Sequence, residues 1–268
     1  MSDSPKSASV SKNLPAATPL HPRRCGIIIG ASSGIGAALA ERLGKEGYTL
    51  ALLARRKELL HSLCGEINQK YGETRAIPYA HDVTDHESVP ELLLKIIADL
   101  GGLDLVVYAA GVNYPPGLSN YDFIGDRKMI EVNLIGALAW LNPVASMFQS
   151  ARAGQIVGIS SVAGDRGRVG NPGYNTSKAG LSTYLEALRN RLTRYGVNVI
   201  TVKPGFVQTE MLKAAQKAMF PISPEKAADE IWKAMRKRKQ QIYTPAMWGL
   251  IMYLVRNIPS VIFRRMSF

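Results

Sequence analysis

Tyr174 and Lys178 stand four residues apart in YNTSK, at the start of a helical run that continues AGLSTYLEALRNRL, so one helix face carries a phenol beside an ammonium. A tyrosine hydroxyl ordinarily titrates near pH ~10, too high for ready proton exchange at neutrality, and an adjacent cation lowers that value by favouring the phenolate. Thirteen residues before the tyrosine, Ser161 closes the apolar stretch GQIVGISS. A hydroxyl there can hydrogen-bond a substrate carbonyl and hold it where Tyr174 delivers a proton as hydride arrives. The spacing Y-x-x-x-K also occurs by chance on helix surfaces. Its weight here comes from its combination with Ser161 and with a glycine-rich turn earlier in the chain.

Positioning such groups requires a frame, and the hydropathy pattern supplies one. From Ile27 onward, short apolar runs (IIIG, YTLALLAR, RAIPYAHDV, LDLVVYAAG, GQIVGISS, VNVITVKPG, QQIYTP) alternate with longer amphipathic ones. That alternation predicts an α/β fold: a single doubly wound parallel sheet with helices on both faces. In CGIIIGASSGIG the first strand runs directly into three glycines, and AALAERLGKEG follows as a helix. A phosphate bound at that helix N-terminus needs bare backbone N–H groups and a sharp turn. Gly30 would make the turn, Gly34 and Gly36 would permit close approach of pyrophosphate and backbone, and Ser32 and Ser33 would add hydroxyl donors. The second strand ends LLARRKE, where an NAD-type site carries an acid for the ribose hydroxyl. Arg55 and Arg56 can instead pair with a 2′-phosphate that nothing nearby in the sequence repels, which favours NADP(H). The plainer reading is a solvated basic turn.

Composition bounds the rest. At 268 residues and 46% hydrophobic the chain can bury a large core, and one domain over 24–245 is expected. Residues 1–23, rich in Ser, Pro and Ala, read as a disordered tail, and 246–268 as an apolar, basic C-terminal extension. No apolar run approaches the roughly 20 residues of a membrane span and no secretory core is visible, so a cytoplasmic protein, soluble or peripheral at a membrane surface, is expected. Cys25 and Cys64 have no Cys or His at metal-ligand spacing, which argues against a disulfide framework or a zinc site and for two buried thiols. The net charge of +12 is concentrated at the end of the chain: after Glu230 there is no acidic residue, against eight Lys and Arg. A local excess of this kind, with RKRKQQ a solvated helix end, does not point to nucleic acid.

GASSGIG, LLARR, HDV, YAAG, EVN, GISSVAG, YNTSK and KPGFVQT together resemble the short-chain dehydrogenase/reductase family over roughly residues 25–209. The resemblance implies a Rossmann-type sheet and an oxidoreductase acting on CH–OH or C=O groups. Asn133 would join Ser161, Tyr174 and Lys178 as a tetrad, holding a proton-relay water near Lys178. The cofactor would lie along Gly30, Ser32, Ser33, Gly34, Ile35, Gly36, Arg55 and Arg56. Asp82 and Val83 would flank the adenine, and Ala110 and Gly111 would line the cleft. Tyr174 and Lys178 would also contact the cofactor, while Pro204, Gly205, Val207 and Thr209 would cover the nicotinamide. The chain departs from the family in lacking asparagine at Tyr108 or Ala109, which leaves the support of the fourth strand open.

The C-terminus departs further. MWGLIMYLVRNIPSVIFRRMSF interleaves apolar residues with Arg256, Arg264 and Arg265. An interfacial helix on an anionic membrane, a cover for a lipid-like substrate, and a contact with the protein's own core or a second subunit of a homo-oligomer all suit it. Arg166 and Arg168 in GDRGRVG follow the serine in a loop that should face substrate, where they would bind an anionic headgroup, be solvated or pair locally. DRGR and RNIPSVIFRR weakly resemble reductases of polyprenyl-phosphate-linked keto-sugars. The expectation is therefore an NADPH-dependent reductase of a ketone on a hydrophobic or lipid-linked substrate, reversible in principle. A non-catalytic NADP-binding scaffold is the competing class, against which the intact Ser161, Tyr174 and Lys178 argue.

Overall fold

The computed structural model describes residues 24–214 and 218–266; the expected N-terminal tail lies outside them. Seven strands, β1 (Cys25–Ile29), β2 (Thr49–Ala54), β3 (Ala76–Ala80), β4 (Leu105–Tyr108), β5 (Gln155–Ile159), β6 (Asn198–Pro204) and β7 (Gln241–Thr244), form one sheet in the order β3-β2-β1-β4-β5-β6-β7. Every pairing is parallel. The helices are α1 (Gly34–Lys45), α2 (Lys57–Tyr71), α3 (Val89–Leu100), α4 (Phe123–Ile130), α5 (Gly136–Ala151), α6 (Pro172–Leu192), α7 (Pro224–Arg236), α8 (Met247–Asn257) and the single turn α9 (Ser260–Phe263).

Side chains alternate across the strands and so build two cores. Ile27 and Ile29 of β1 join α3, α5 and α6 through Leu93, Trp140 and Leu185, whereas Ile28 joins α1, α2 and α7 through Leu39, Leu60 and Ile231. The chain leaves β1 toward β2 and β3, then returns to the other side of β1 at β4. The segments that follow β1 and β4 therefore leave to opposite faces of the sheet, and a crevice opens where ligands bind in sheets of this kind.

Two expectations need revision. The helical stretch Phe123–Ala151, α4 through α5, is long and apolar enough by composition to cross a membrane. Trp140, Leu141, Val144 and Phe148 within it are fully buried in the core, which accounts for its hydropathy without a bilayer. The open support of the fourth strand is supplied by Tyr108 itself. Its buried hydroxyl donates to the Val132 carbonyl at 2.5 Å, fastening β4 to a π-helical turn, Glu131–Ile135, that joins α4 to α5. Both cysteines are buried thiols, as expected.

Candidate active site

The glycine turn is shaped by close contacts. Gly30 has φ +90° and its α-carbon abuts the Ala110 backbone, so a side chain there would collide with the end of β4. At Gly36 a side chain would overlap the Gly30 carbonyl, so the third glycine serves the packing of α1 on its own turn. Gly34, at φ +59°, lies beneath Thr209, and Ile35 packs with Val207 and Ile222, which brings the segment after β6 down onto the turn.

At the end of β2 the two arginines divide. Arg56 donates to the Ser32 hydroxyl at 3.1 and 3.2 Å and to the Ser33 hydroxyl at 2.5 Å, and its other amino group pairs with Glu210 at 2.7 Å. Arg55 faces Asp82 at 3.7 Å. Two carboxylates therefore approach this basic end, which corrects the expectation that nothing near the arginines repels a phosphate. Asp82 accepts from the Thr84 amide and hydroxyl, and buried Val83 packs under β4.

The catalytic candidates converge at the carboxyl ends of β4 and β5. Ser161 follows β5, and its hydroxyl accepts from the Ala163 amide at 3.1 Å, capping a short 3₁₀ turn, Val162–Gly164. The Ser161 hydroxyl lies near enough to the Tyr174 hydroxyl to favour its ionised form. Lys178 is buried and donates to the Ile159 carbonyl at 3.0 Å. Gly111 lies between the Lys178 ammonium and the Asn133 amide, and any side chain there would press on both. Asn133 is fully buried in the π-helical turn, a distortion that often marks functional positions. Its amide accepts from Val112 N at 2.7 Å and donates to Val112 O at 3.0 Å and to Ser177 at 2.9 Å. Asn133 thereby fixes the path of the chain just beyond β4.

The electrostatics add one cation to those the sequence suggested. Burial pushes the Tyr174 hydroxyl above its ordinary value, opposed by the nearby Ser161 hydroxyl and then by the charge of Arg168. The ammonium of Lys178 lies 5.8 Å from the Tyr174 ring centre, and burial pushes it down to about 8. Arg168 is thus a further cation acting on the phenol, besides the nearby Lys178.

The remaining sequence candidates lie around this centre. Pro204 ends β6; the bare α-carbon of Gly205 faces the Trp248 indole, and Thr209 N donates to Val207 O at 2.8 Å. Arg168 is half-buried and no carboxylate pairs with it among the described residues. Arg166 is engaged elsewhere, on carbonyls at the end of α8, which corrects its reading as a headgroup ligand. Sequence reasoning missed Asn171, which caps α6 by accepting from Tyr174 N at 3.2 Å and so sets where the tyrosine starts its helix. The signal was present as Asn-Pro before YNTSK. It also missed the buried Lys203–Asp165 pair at 2.5 Å, which joins residues distant in the chain and leaves no local pattern.

The family model for short chain dehydrogenases matches residues 24–219. The chain belongs to the short-chain dehydrogenase family. An uncharacterised oxidoreductase of Myxococcus xanthus is 33% identical over 241 residues, 90% of this chain and 94% of that protein. One from Mycobacterium tuberculosis is 30% identical over 243 residues, 90% of this chain and 96% of its own length. Among solved structures, a short-chain dehydrogenase from Streptomyces avermitilis is 26% identical with a TM-score of 0.75, covering 86% of this chain and 92% of its own. ElxO with NADP bound is 25% identical with a TM-score of 0.70, covering 78% and 90%. As a short-chain dehydrogenase the chain is an oxidoreductase, and Ser161, Tyr174 and Lys178 stand together at the crevice.

Proposed function

We propose that this short-chain dehydrogenase is an NADPH-dependent reductase of a ketone carried on a hydrophobic or lipid-linked substrate. The observation that carries the reading is the convergence of Ser161, Tyr174 and buried Lys178 at the carboxyl ends of β4 and β5, the same sheet edge that carries the Gly30–Gly36 turn. The residues fit the cofactor: Gly30, at φ +90°, turns β1 into the N-terminus of α1, whose backbone N–H groups suit a pyrophosphate, and Ser32, Ser33, Arg55 and Arg56 offer donors to a 2′-phosphate. ElxO, crystallised with NADP, supports the same choice. NADPH bound there supplies the hydride.

The chain's own groups then handle the carbonyl. Ser161 donates to the ketone oxygen and holds it beside the Tyr174 hydroxyl, which gives up its proton. Because burial raises Tyr174, the phenol is fully protonated at neutral pH, the state needed for a donor. The phenolate left behind is stabilised by Ser161 and by the charges of Arg168 and Lys178. Asn133 and Lys178, both close to Gly111, would return the proton through water.

Several features favour an apolar substrate. The loops at the carboxyl ends of β4 and β6 expose Leu118, Tyr121, Phe123, Met219 and Phe220, and the outer side of α8 exposes Leu250, Tyr253 and Leu254. Arg264 and Arg265 are exposed beside that apolar side, which suits a peripheral contact with anionic lipid, and a second copy of the chain would cover the same side. Arg168, beside Tyr174 without a carboxylate partner among the described residues, suits a substrate with an anionic group near its ketone. A ketoacyl reductase of Nostoc, HetN, is 28% identical over 221 residues, covering 81% of this chain and 76% of its own length, which agrees with a keto substrate. The test is NADPH consumption against ketones of increasing chain length, with and without an anionic group, in the presence and absence of lipid vesicles. Turnover that rises with chain length is expected. Turnover confined to small neutral ketones would overturn the substrate class.

A further inference from the structure

The two residues next to each other in the loop after Ser161 face different partners. Asp165 is turned toward the sheet: it accepts from Lys203 of β6 at 2.5 Å and from the Tyr243 hydroxyl of β7 at 2.7 Å, with only 2% of its side chain exposed. Arg166 is turned toward the C-terminus. One of its amino groups donates to the carbonyls of Val255 at 2.5 Å and Ile258 at 2.6 Å, with Arg256 O at 3.3 Å, and its guanidinium carbon lies 3.8 Å from the centre of the Phe263 ring. These carbonyls belong to the end of α8, where the last turn leaves acceptors unpaired and the helix dipole is negative. Pro259 stops the chain just beyond, so the helix could not satisfy them by continuing.

The other end of α8 is seated at the cleft as well. Trp248 packs on the bare α-carbon of Gly205 and lies 5.8 Å from Phe206, and Trp248 and Met252 form a small core with Val162, the residue after Ser161. Helix α8 therefore spans the distance from the segment after β6 to the loop after β5. It is held by packing at its start and by Arg166 at its finish.

We propose that Arg166 is a positioning residue that fastens the α8–α9 hairpin as a fixed wall of the substrate end of the cleft, and so sets the selectivity for long apolar ketones. The proposal deepens the reductase reading above and rests on it. The planar guanidinium bridges several carbonyls and stacks on a ring at once, a geometry that lysine cannot reproduce. Its anchor is the Asp165–Lys203–Tyr243 network, which ties the hairpin to the same loop that presents Ser161.

The test uses the full chain with Arg166→Ala and Arg166→Lys, read two ways. Hydrogen exchange should show the amides of 247–263 opening at least about tenfold more readily in Arg166→Ala, with the sheet unchanged, the scale expected for losing hydrogen bonds from a charged donor. Arg166→Lys should fall between the two. In kinetics with NADPH, Arg166→Ala should raise KM for 2-decanone at least about fivefold with kcat changed less, while kcat/KM for butanone and the Kd for NADPH stay within about twofold. Unchanged exchange in the hairpin, or an equal loss for both ketones, overturns the proposal. If the native chain reduces neither ketone, the reductase reading fails by itself, and the exchange measurement still decides whether Arg166 is the clamp.

Discussion

At the residue scale, the tyrosine, lysine and serine were legible in the sequence because their spacing on one helix and one strand end is local. Their electrostatics were not. A second cation, Arg168, is brought to Tyr174 by the fold of a loop, and Lys178 has its own burial to contend with. Burial lowers Lys178 from 10.5 to about 8, which amounts to a destabilisation on the order of 3 kcal/mol at neutral pH. The sign follows from the proton count. Below pH 8 both folded and unfolded chains carry the proton and the penalty is complete; between about 8 and 10.5 the unfolded chain binds more, so the penalty is relieved as pH rises. Lys178→Met should therefore melt several degrees higher than the native chain at pH 7, with no measurable reduction of ketone, and the gap in Tm should narrow toward pH 10. A variant less stable than the native chain at pH 7 would show that the bond to Ile159 O outweighs the buried charge.

At the element scale, the seven strands and the glycine turn follow from runs of apolar residues and their punctuation, and the structure has all seven in parallel register. What the sequence could not convey is how elements far apart in the chain lean on one another. Glu210 after β6 reaches Arg56 after β2, a separation of 154 residues, and no local pattern marks the pair. This ion pair competes with a 2′-phosphate for the same guanidinium. Glu210→Gln should tighten NADPH by up to about fivefold, the modest scale of an exposed ion pair, and leave NADH unchanged in fluorescence titrations. Equal changes for both coenzymes would assign Glu210 a general role in the loop. Gly205 is a second case. The glycine reads in sequence as part of KPGFVQT, yet in the fold it makes room for Trp248 of α8. Gly205→Ala should cost about 1–3 kcal/mol by overpacking, seen as a lower Tm together with a red shift of Trp248 fluorescence. An unshifted Tm would mean that α8 moves aside freely.

At the scale of the whole molecule, one parallel sheet brings the glycine turn, the basic end of β2 and the Ser161–Tyr174 pair to the same edge, and the C-terminal hairpin closes the far side of that edge. The distribution of charge follows the same division, since the carboxylates end at Glu230 and the hairpin carries arginines beside exposed apolar side chains. Co-sedimentation should therefore recover more of the chain with anionic than with neutral vesicles, and salt should weaken the recovery without abolishing it. Equal recovery with both kinds, or none with either, would assign the exposed side of α8 to a second copy of the chain. In the proposed reaction this crevice reduces a ketone with Tyr174 as proton donor. That reaction is tested most directly by following NADPH oxidation with a reactive ketone in the native chain and in Tyr174→Phe, with the Kd for NADPH measured on both. The rate should fall at least about a hundredfold, the scale of losing a general acid, while the Kd stays within about twofold. A Tyr174→Phe chain that turns over at a near-native rate would contradict the account.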